Sequence, residues 1–128
     1  MLILGISAFY HDSAACIVSD GVVKVAVEEE RFTRVKHDNG FPYLSIEHCL
    51  KSLNLTIKDI DCVAYYEKPL LKFERIIETF ISTYPMSLKP FLRAIPEWLA
   101  SKIKVESAIR KTGFKKEIFY LPHHYSHA

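Results

Sequence analysis

The sequence lacks the features that mark export or membrane insertion. No run approaches the ~18 consecutive apolar residues that a membrane-spanning helix needs. Residues 1–4 are apolar, but they lack the basic flank and the longer apolar core of a signal peptide. We therefore expect no secretory leader and no membrane span.

The chain also has few cysteines and a small net charge. Cys16, Cys49 and Cys62 stand among apolar neighbours and form no C-x-x-C motif, which indicates reduced thiols in a cytoplasmic protein. The 17 Lys and Arg residues nearly balance the 15 Asp and Glu residues, and most are dispersed along the chain. We therefore expect neither nucleic acid nor a membrane surface as a partner.

Apolar residues dominate what is present. They make up 49% of the 128 residues, and 12% of the chain is aromatic. This composition excludes a disordered or low-complexity protein. The length suits a single domain with one core.

Short apolar runs predict five strands, at residues 2–7, 13–18, 22–27, 60–66 and 117–120. Asp20 and Gly21 separate the second run from the third, and this dipeptide is typical of a two-residue hairpin. The first three strands should therefore form an antiparallel meander.

The spacing of apolar residues predicts a helix over residues 44–53, with Ser45 as its N-terminal cap. A helix between two strands favours a parallel crossover, hence a mixed sheet in an α/β fold. Residues 70–112 should form a helical excursion within the single domain. Pro85, Pro90 and Pro96 would divide it into short helices.

Polar residues follow two of the predicted strands, where α/β sheets collect ligands. His11 and Asp12 come after the first strand. His11 is a candidate general acid or base, or a phosphate contact. The alternative is a turn in which Asp12 bonds its own backbone.

The chain ends in three histidines. If a helix begins at Pro122, His123 and His127 lie four residues apart on one face and could bind one divalent cation. The alternative is polar helix surface. Because two histidines rarely complete a metal site, we interpret the chain as part of a larger protein.

The densest charge run covers residues 28–37 and allows two interpretations. It is either a solvated connection with weak local ion pairs, or an anion clamp. The clamp would use Arg31, Arg34, Lys36 and His37, since guanidinium groups bind phosphate oxygens in a bidentate manner. The sequence has no P-loop or Rossmann motif, so phosphate binding would be of another kind.

Several of these strings occur together in one family. Their order and separation resemble the amino-terminal end of the NodU/CmcH-type O-carbamoyltransferases, and the histidines at 123–127 resemble the metal motif of that family. The strings are Gly5-Ile6-Ser7, His11-Asp12-Ser13-Ala14-Ala15, Asp20-Gly21, Glu28-Glu29-Glu30-Arg31-Phe32-Thr33-Arg34, Lys36-His37, Phe41-Pro42 and His123-His124-Tyr125-Ser126-His127-Ala128.

The resemblance implies a half-fold of the ribonuclease H-like, actin-like ATPase type, akin to the tRNA threonylcarbamoyl-adenosine synthase. In such enzymes a carboxyl-terminal YrdC-like domain makes carbamoyl-adenylate from carbamoyl phosphate and ATP. The amino-terminal domain then transfers the carbamoyl group to a hydroxyl of a small-molecule acceptor. Without those further parts we expect this chain to be inactive, and its exposed half-fold could form a homodimer.

Site roles also follow from the resemblance. His123 and His127 would bind Fe(II) or another divalent metal, with a downstream aspartate as the third ligand. His11 and Asp12 would be catalytic, near the nucleotide phosphates and the acceptor hydroxyl. The expected substrate-binding residues are Arg31, Arg34, Lys36, His37 and His124.

Two other classes remain open. A sugar kinase or hydantoinase of the same superfamily would need a D-x-G-T phosphate turn after the first strand, where this chain has Tyr10-His11-Asp12-Ser13-Ala14. A small interaction module, with incidental terminal histidines, is the non-enzymatic alternative.

Overall fold

The computed structural model describes residues 1–9, 12–66, 77–79, 81–84, 86 and 88–121, without the side chains at 90, 91, 94, 97, 98 and 101. The predictions for His11, His123, His124 and His127 lie outside the described residues. So does most of the helix expected at the start of the 70–112 excursion.

The described residues form one five-stranded mixed sheet. Its strands are β1 (Leu2–Ser7), β2 (Ala14–Ser19), β3 (Val22–Glu28), β4 (Cys62–Tyr65) and β5 (Glu117–Tyr120), in the order β3-β2-β1-β4-β5. Strands β1, β2 and β3 pair antiparallel, whereas β4 pairs parallel with both β1 and β5. The predicted meander and the mixed α/β sheet are confirmed, with strand ends shifted by at most two residues.

The α-helices with described bounds are α1 (Glu30–Thr33), α2 (Tyr43–Ser52) and α3 (Leu88–Lys111). Residues 77–79 and 81–83 are helical as well. A short 3-10 helix, Ile57–Asp59, precedes β4. The N-cap of α2 is Pro42, which has no capping side chain. The prediction that Ser45 caps this helix is therefore wrong, because Ser45 is the third residue of α2 and is buried.

Helix α3 corrects a second prediction. It is continuous over 24 residues, although the prolines predicted a series of short helices. Pro90 lies in the first turn, where a missing backbone N–H costs nothing. Pro96 is tolerated inside the helix, whose later residues Val105 and Ile109 are buried in the core.

The core lies on one face of the sheet. Alternate strand residues such as Leu4, Ile17 and Val63 are fully buried there. Residues of α2 and α3, including Cys49 and Ile109, pack against them in a single cluster. Among the described residues, no helix is long and apolar enough to cross a membrane.

Candidate functional site

Strands β1, β4 and β5 run in the same direction, so their carboxyl ends share one edge of the sheet. Strands β1 and β5 are not direct neighbours, since β4 lies between them. The Tyr65 hydroxyl, at the end of β4, donates to the Ala8 carbonyl at 2.7 Å. The Leu121 amide donates to the Tyr65 carbonyl at 2.7 Å. These bonds tie the segments that leave β1 and β5 to the end of β4.

Asp12 meets His37 at this edge. Asp12 Oδ1 lies 2.9 Å from His37 Nδ1, although 25 residues separate the two. The His37 side chain is 67% exposed and that of Asp12 is 45% exposed. A polar contact this exposed adds little to stability. The pair is open to a ligand from solvent.

Backbone bonds hold the two loops together around this pair. The Phe9 amide donates to the Asn39 carbonyl at 2.8 Å, and the Ser13 amide donates to the Asp38 carbonyl at 2.7 Å. The Ser13 hydroxyl donates to the Gly40 carbonyl. The Gly40 amide and the Thr33 hydroxyl hold the pKa of Asp38 below its usual value. These hydrogen bonds therefore hold the chain on both sides of Asp12 and directly after His37.

Strained backbone also occurs in these loops. Phe9, Arg34 and His37 have φ values of 70°, 60° and 55°. A non-glycine residue in this left-handed region costs on the order of 1–2 kcal/mol. Such strain often lies at functional sites, where the surrounding contacts hold it in place.

Three cationic side chains lie between β3 and His37, the partner of Asp12. Arg31, Arg34 and Lys36 are exposed, and within the described residues none has a carboxylate partner. The local ion pairs of the solvated-connection interpretation are thus not seen in the described part of the chain. The anion clamp stays a prediction.

Glu29 was missed by the sequence analysis, which treated it as part of a solvated run. It is 4% exposed. Its carboxylate accepts from the Leu44 amide at 3.1 Å, the Ser45 amide at 2.8 Å and the Ser45 hydroxyl at 2.6 Å. Glu29 therefore caps α2 from a distant position. The sequence did contain a sign of this burial. Val25 and Val27 face the core, and Glu29 follows them at the same two-residue interval, so its side chain lies on the same face.

Lys104 of α3 was also missed. Its Nζ lies 4.5 Å from the centroid of the Phe9 ring, which in turn packs against Phe41. A cation over an aromatic face is attractive. This contact places an additional cation beside the loop that carries Asp12, from a distant position in the sequence.

Comparison with known proteins shows that the carbamoyltransferase N-terminus family matches residues 2–128. This chain belongs to that family. The sequence resemblance is thereby confirmed.

Carbamoyltransferase N-terminus relatives occur in several bacteria. An uncharacterized protein of Synechocystis sp. is 43% identical over 135 residues, which cover 98% of this chain and 22% of the relative. The nodulation protein NolNO of Sinorhizobium fredii is 36% identical over 126 residues, 95% of this chain and 17% of that protein. A 19.2 kDa protein of Rhizobium etli is 50% identical over 60 residues, 47% of this chain and 35% of that protein. The chain thus spans about a fifth of the first two relatives.

His123 and His127, which the sequence analysis predicted to be metal ligands, lie outside the described part of the chain. Among the described residues, no group of three or more His, Cys, Asp or Glu side chains could hold a metal ion. The metal site therefore stays a prediction from sequence.

Proposed function

We propose that this chain is the amino-terminal part of a carbamoyltransferase. The complete protein would form carbamoyl-adenylate from carbamoyl phosphate and ATP, and transfer the carbamoyl group to a hydroxyl of a small-molecule acceptor. Family membership over residues 2–128 supports the reaction class. The mixed sheet is compatible with half of an actin-like ATPase domain.

The contact between Asp12 and His37 is the observation that carries the proposal. It joins residues from two separate sequence motifs of the family, at the edge of the sheet where ligands collect. A carboxylate beside Nδ1 favours the tautomer that carries its proton there. Nε2 then has a free lone pair, which can accept a proton or a hydrogen bond from a substrate hydroxyl.

The surrounding groups have complementary roles in this proposal. His11 is the proposed base for the acceptor hydroxyl, and its side chain lies outside the described residues. The exposed Arg31, Arg34 and Lys36 would bind phosphate oxygens and stabilise the charge of the leaving group. His123 and His127 are proposed iron ligands, and the bound metal would act as a Lewis acid.

Substitutions at the Asp12–His37 pair test the proposal in the longer protein. We expect Asp12→Asn and His37→Ala to lower the rate of carbamoyl transfer about 100-fold. Their melting temperatures should stay near that of the parent protein, because the pair is exposed. The assay follows radiolabelled carbamoyl phosphate into a panel of hydroxylated acceptors, with ATP present.

The matched control is Asp20→Asn. Asp20 is an exposed carboxylate in the β2–β3 turn at the other end of the strands, where it pairs with the amino terminus. This variant should keep full transfer activity. Equal activity of the Asp12→Asn and Asp20→Asn proteins would refute a role for Asp12.

A further inference from the structure

His37 occupies a turn position that usually belongs to glycine. The Asp38 amide donates to the Val35 carbonyl at 3.2 Å, which closes a β-turn with His37 as its third residue. His37 has a φ of 55°, whereas the φ of Lys36 is not positive. A positive φ at the third residue alone is typical of a type II turn, which prefers glycine or asparagine there. Since histidine brings no advantage to the turn itself, its presence indicates a use for the imidazole.

The backbone amide of His37 takes no part in closing this turn. In a type II turn the fourth residue donates the closing hydrogen bond, so the amide of the third residue is left for another acceptor. Glu30 Oε2 accepts from the His37 amide at 3.0 Å. Within the part of the chain that the structure describes, the Glu30 carboxylate has no ion-pair partner, although Arg31 follows it directly. Its described contact is therefore with the backbone of His37.

This hydrogen bond selects one orientation of the peptide group between Lys36 and His37. Type I and type II turns differ mainly by a half rotation of that central peptide, which changes the φ of the third residue from negative to positive. Without an acceptor for the amide, the negative φ is the favoured state of histidine. Because the rotamers open to a side chain depend on its backbone angles, the orientation of this peptide also limits where the imidazole can point.

Two carboxylates thus hold His37 at different atoms. Glu30 accepts from its backbone amide, while Asp12 Oδ1 lies 2.9 Å from its ring Nδ1. Glu30 is half-buried and begins α1 directly after β3, so the backbone contact is tied to the sheet. A contact at the backbone and a contact at the ring together restrict the side chain to one rotamer, whereas the ring contact alone leaves the peptide free to rotate.

We propose that Glu30 is a positioning residue for His37. Its carboxylate holds the peptide before His37 in the type II orientation, and the imidazole is thereby kept in contact with Asp12. Glu30 binds no substrate in this role and acts only through His37. The catalytic consequence rests on the function proposed above for the Asp12–His37 pair, but the backbone contact does not.

Steady-state kinetics of carbamoyl transfer by the longer protein tests the catalytic consequence. Glu30→Ala should lower kcat about 20-fold with KM nearly unchanged, because misplacing an acid–base group slows the chemical step. Glu30→Gln keeps a side-chain oxygen that can accept from the His37 amide, so its kcat should stay within about threefold of the parent value. The matched control is Glu28→Ala, which removes an exposed carboxylate two residues earlier and should keep the parent kcat.

A parent-like kcat in Glu30→Ala, beside a reduced kcat in His37→Ala, would overturn the positioning role. Equal losses in Glu30→Gln and Glu30→Ala would overturn it as well, because the charge rather than the hydrogen bond would then matter. In the His37→Ala background, Glu30→Ala should cause no further loss, since the group that it positions is absent. A further loss as large as that in the parent protein would show that Glu30 acts independently of His37.

Hydrogen exchange of the His37 amide tests the backbone contact without an activity assay. The exchange is read at single-residue resolution by mass spectrometry of the longer protein. The His37 amide should exchange about tenfold faster in Glu30→Ala than in the parent, and at the parent rate in Glu28→Ala. An unchanged rate in Glu30→Ala would overturn the proposal. If the rate rises but His37→Ala keeps the parent kcat, the proposed function of the pair fails while the Glu30 contact stands.

Discussion

The Glu29 carboxylate is buried where α2 begins, and it takes the place of a local cap. Pro42 offers no side-chain oxygen at the N-cap, so the amides of Leu44 and Ser45 would otherwise lack an acceptor. A negative charge here also interacts favourably with the helix dipole. The conspicuous acidic string of the family resemblance therefore contains at least one residue with a structural role.

We expect Glu29→Ala to lower the free energy of unfolding by about 2 kcal/mol, because it leaves buried donors without acceptors. Urea unfolding followed by circular dichroism measures this change. The control is Glu28→Ala, at an exposed position one residue earlier, which should change the stability by less than about 0.5 kcal/mol. Similar losses for the two variants would refute the capping role.

Ionisation of the Tyr120 phenol makes the free energy of unfolding depend on pH in the alkaline range. Burial, together with the Glu106 carboxylate, raises the pKa of Tyr120 to about 12, from an ordinary value of about 10. The unfolded chain therefore releases the phenol proton before the folded chain does. The stabilisation is complete below about pH 10 and is lost as the pH rises towards 12.

Urea unfolding at a series of alkaline pH values tests this expectation. The free energy of unfolding should fall less steeply above about pH 10 in Tyr120→Phe than in the parent protein. Glu106→Gln should have an intermediate effect, because it removes the neighbouring charge but leaves the burial. The same pH dependence in all three proteins would show that Tyr120 titrates normally.

Among the elements, the β2–β3 hairpin depends on two adjacent residues. Asp20 and Gly21 have φ values of 49° and 81°. Two positive values are typical of the tight turn whose twist matches that of the paired strands. The local sequence was enough to predict this element, since the left-handed backbone is a preference of those two residue types.

Gly21→Ala should lower the free energy of unfolding by about 1 kcal/mol. No other described group lies within 4 Å of an added Cβ, so the loss comes from the backbone alone. Chemical denaturation measures it, and Asp20→Asn is the control because asparagine also adopts this turn. A Gly21→Ala protein as stable as the parent would contradict the backbone strain.

Helix α3 shows where local preference was insufficient. Pro96 disfavours an isolated helix by about 3 kcal/mol, yet the helix continues through it to Lys111. Val105 and Ile109 bury apolar surface against the sheet. A pattern of prolines cannot reveal that compensation, because the residues that supply it lie on other elements.

As a whole, the described part of the chain presents one covered and one open face of its sheet. We expect the 128-residue chain alone to show no carbamoyl transfer. Added ATP and iron should leave its melting temperature nearly unchanged, because a ligand stabilises a protein only where the folded state binds it. Differential scanning calorimetry measures this, with the longer protein as the comparison. A rise of several degrees with either ligand would contradict the prediction.

The conformational preferences of neighbouring residues were enough to predict some elements from sequence. Examples are the Asp20–Gly21 turn and the apolar run that forms β5. Residue type and family resemblance also selected Asp12 and His37. That these two side chains meet follows from the folded structure, because strand pairing brings together loops 25 residues apart. The same holds for Glu29 at the start of α2. Contacts of this kind depend on register and packing, which no short stretch of sequence encodes alone.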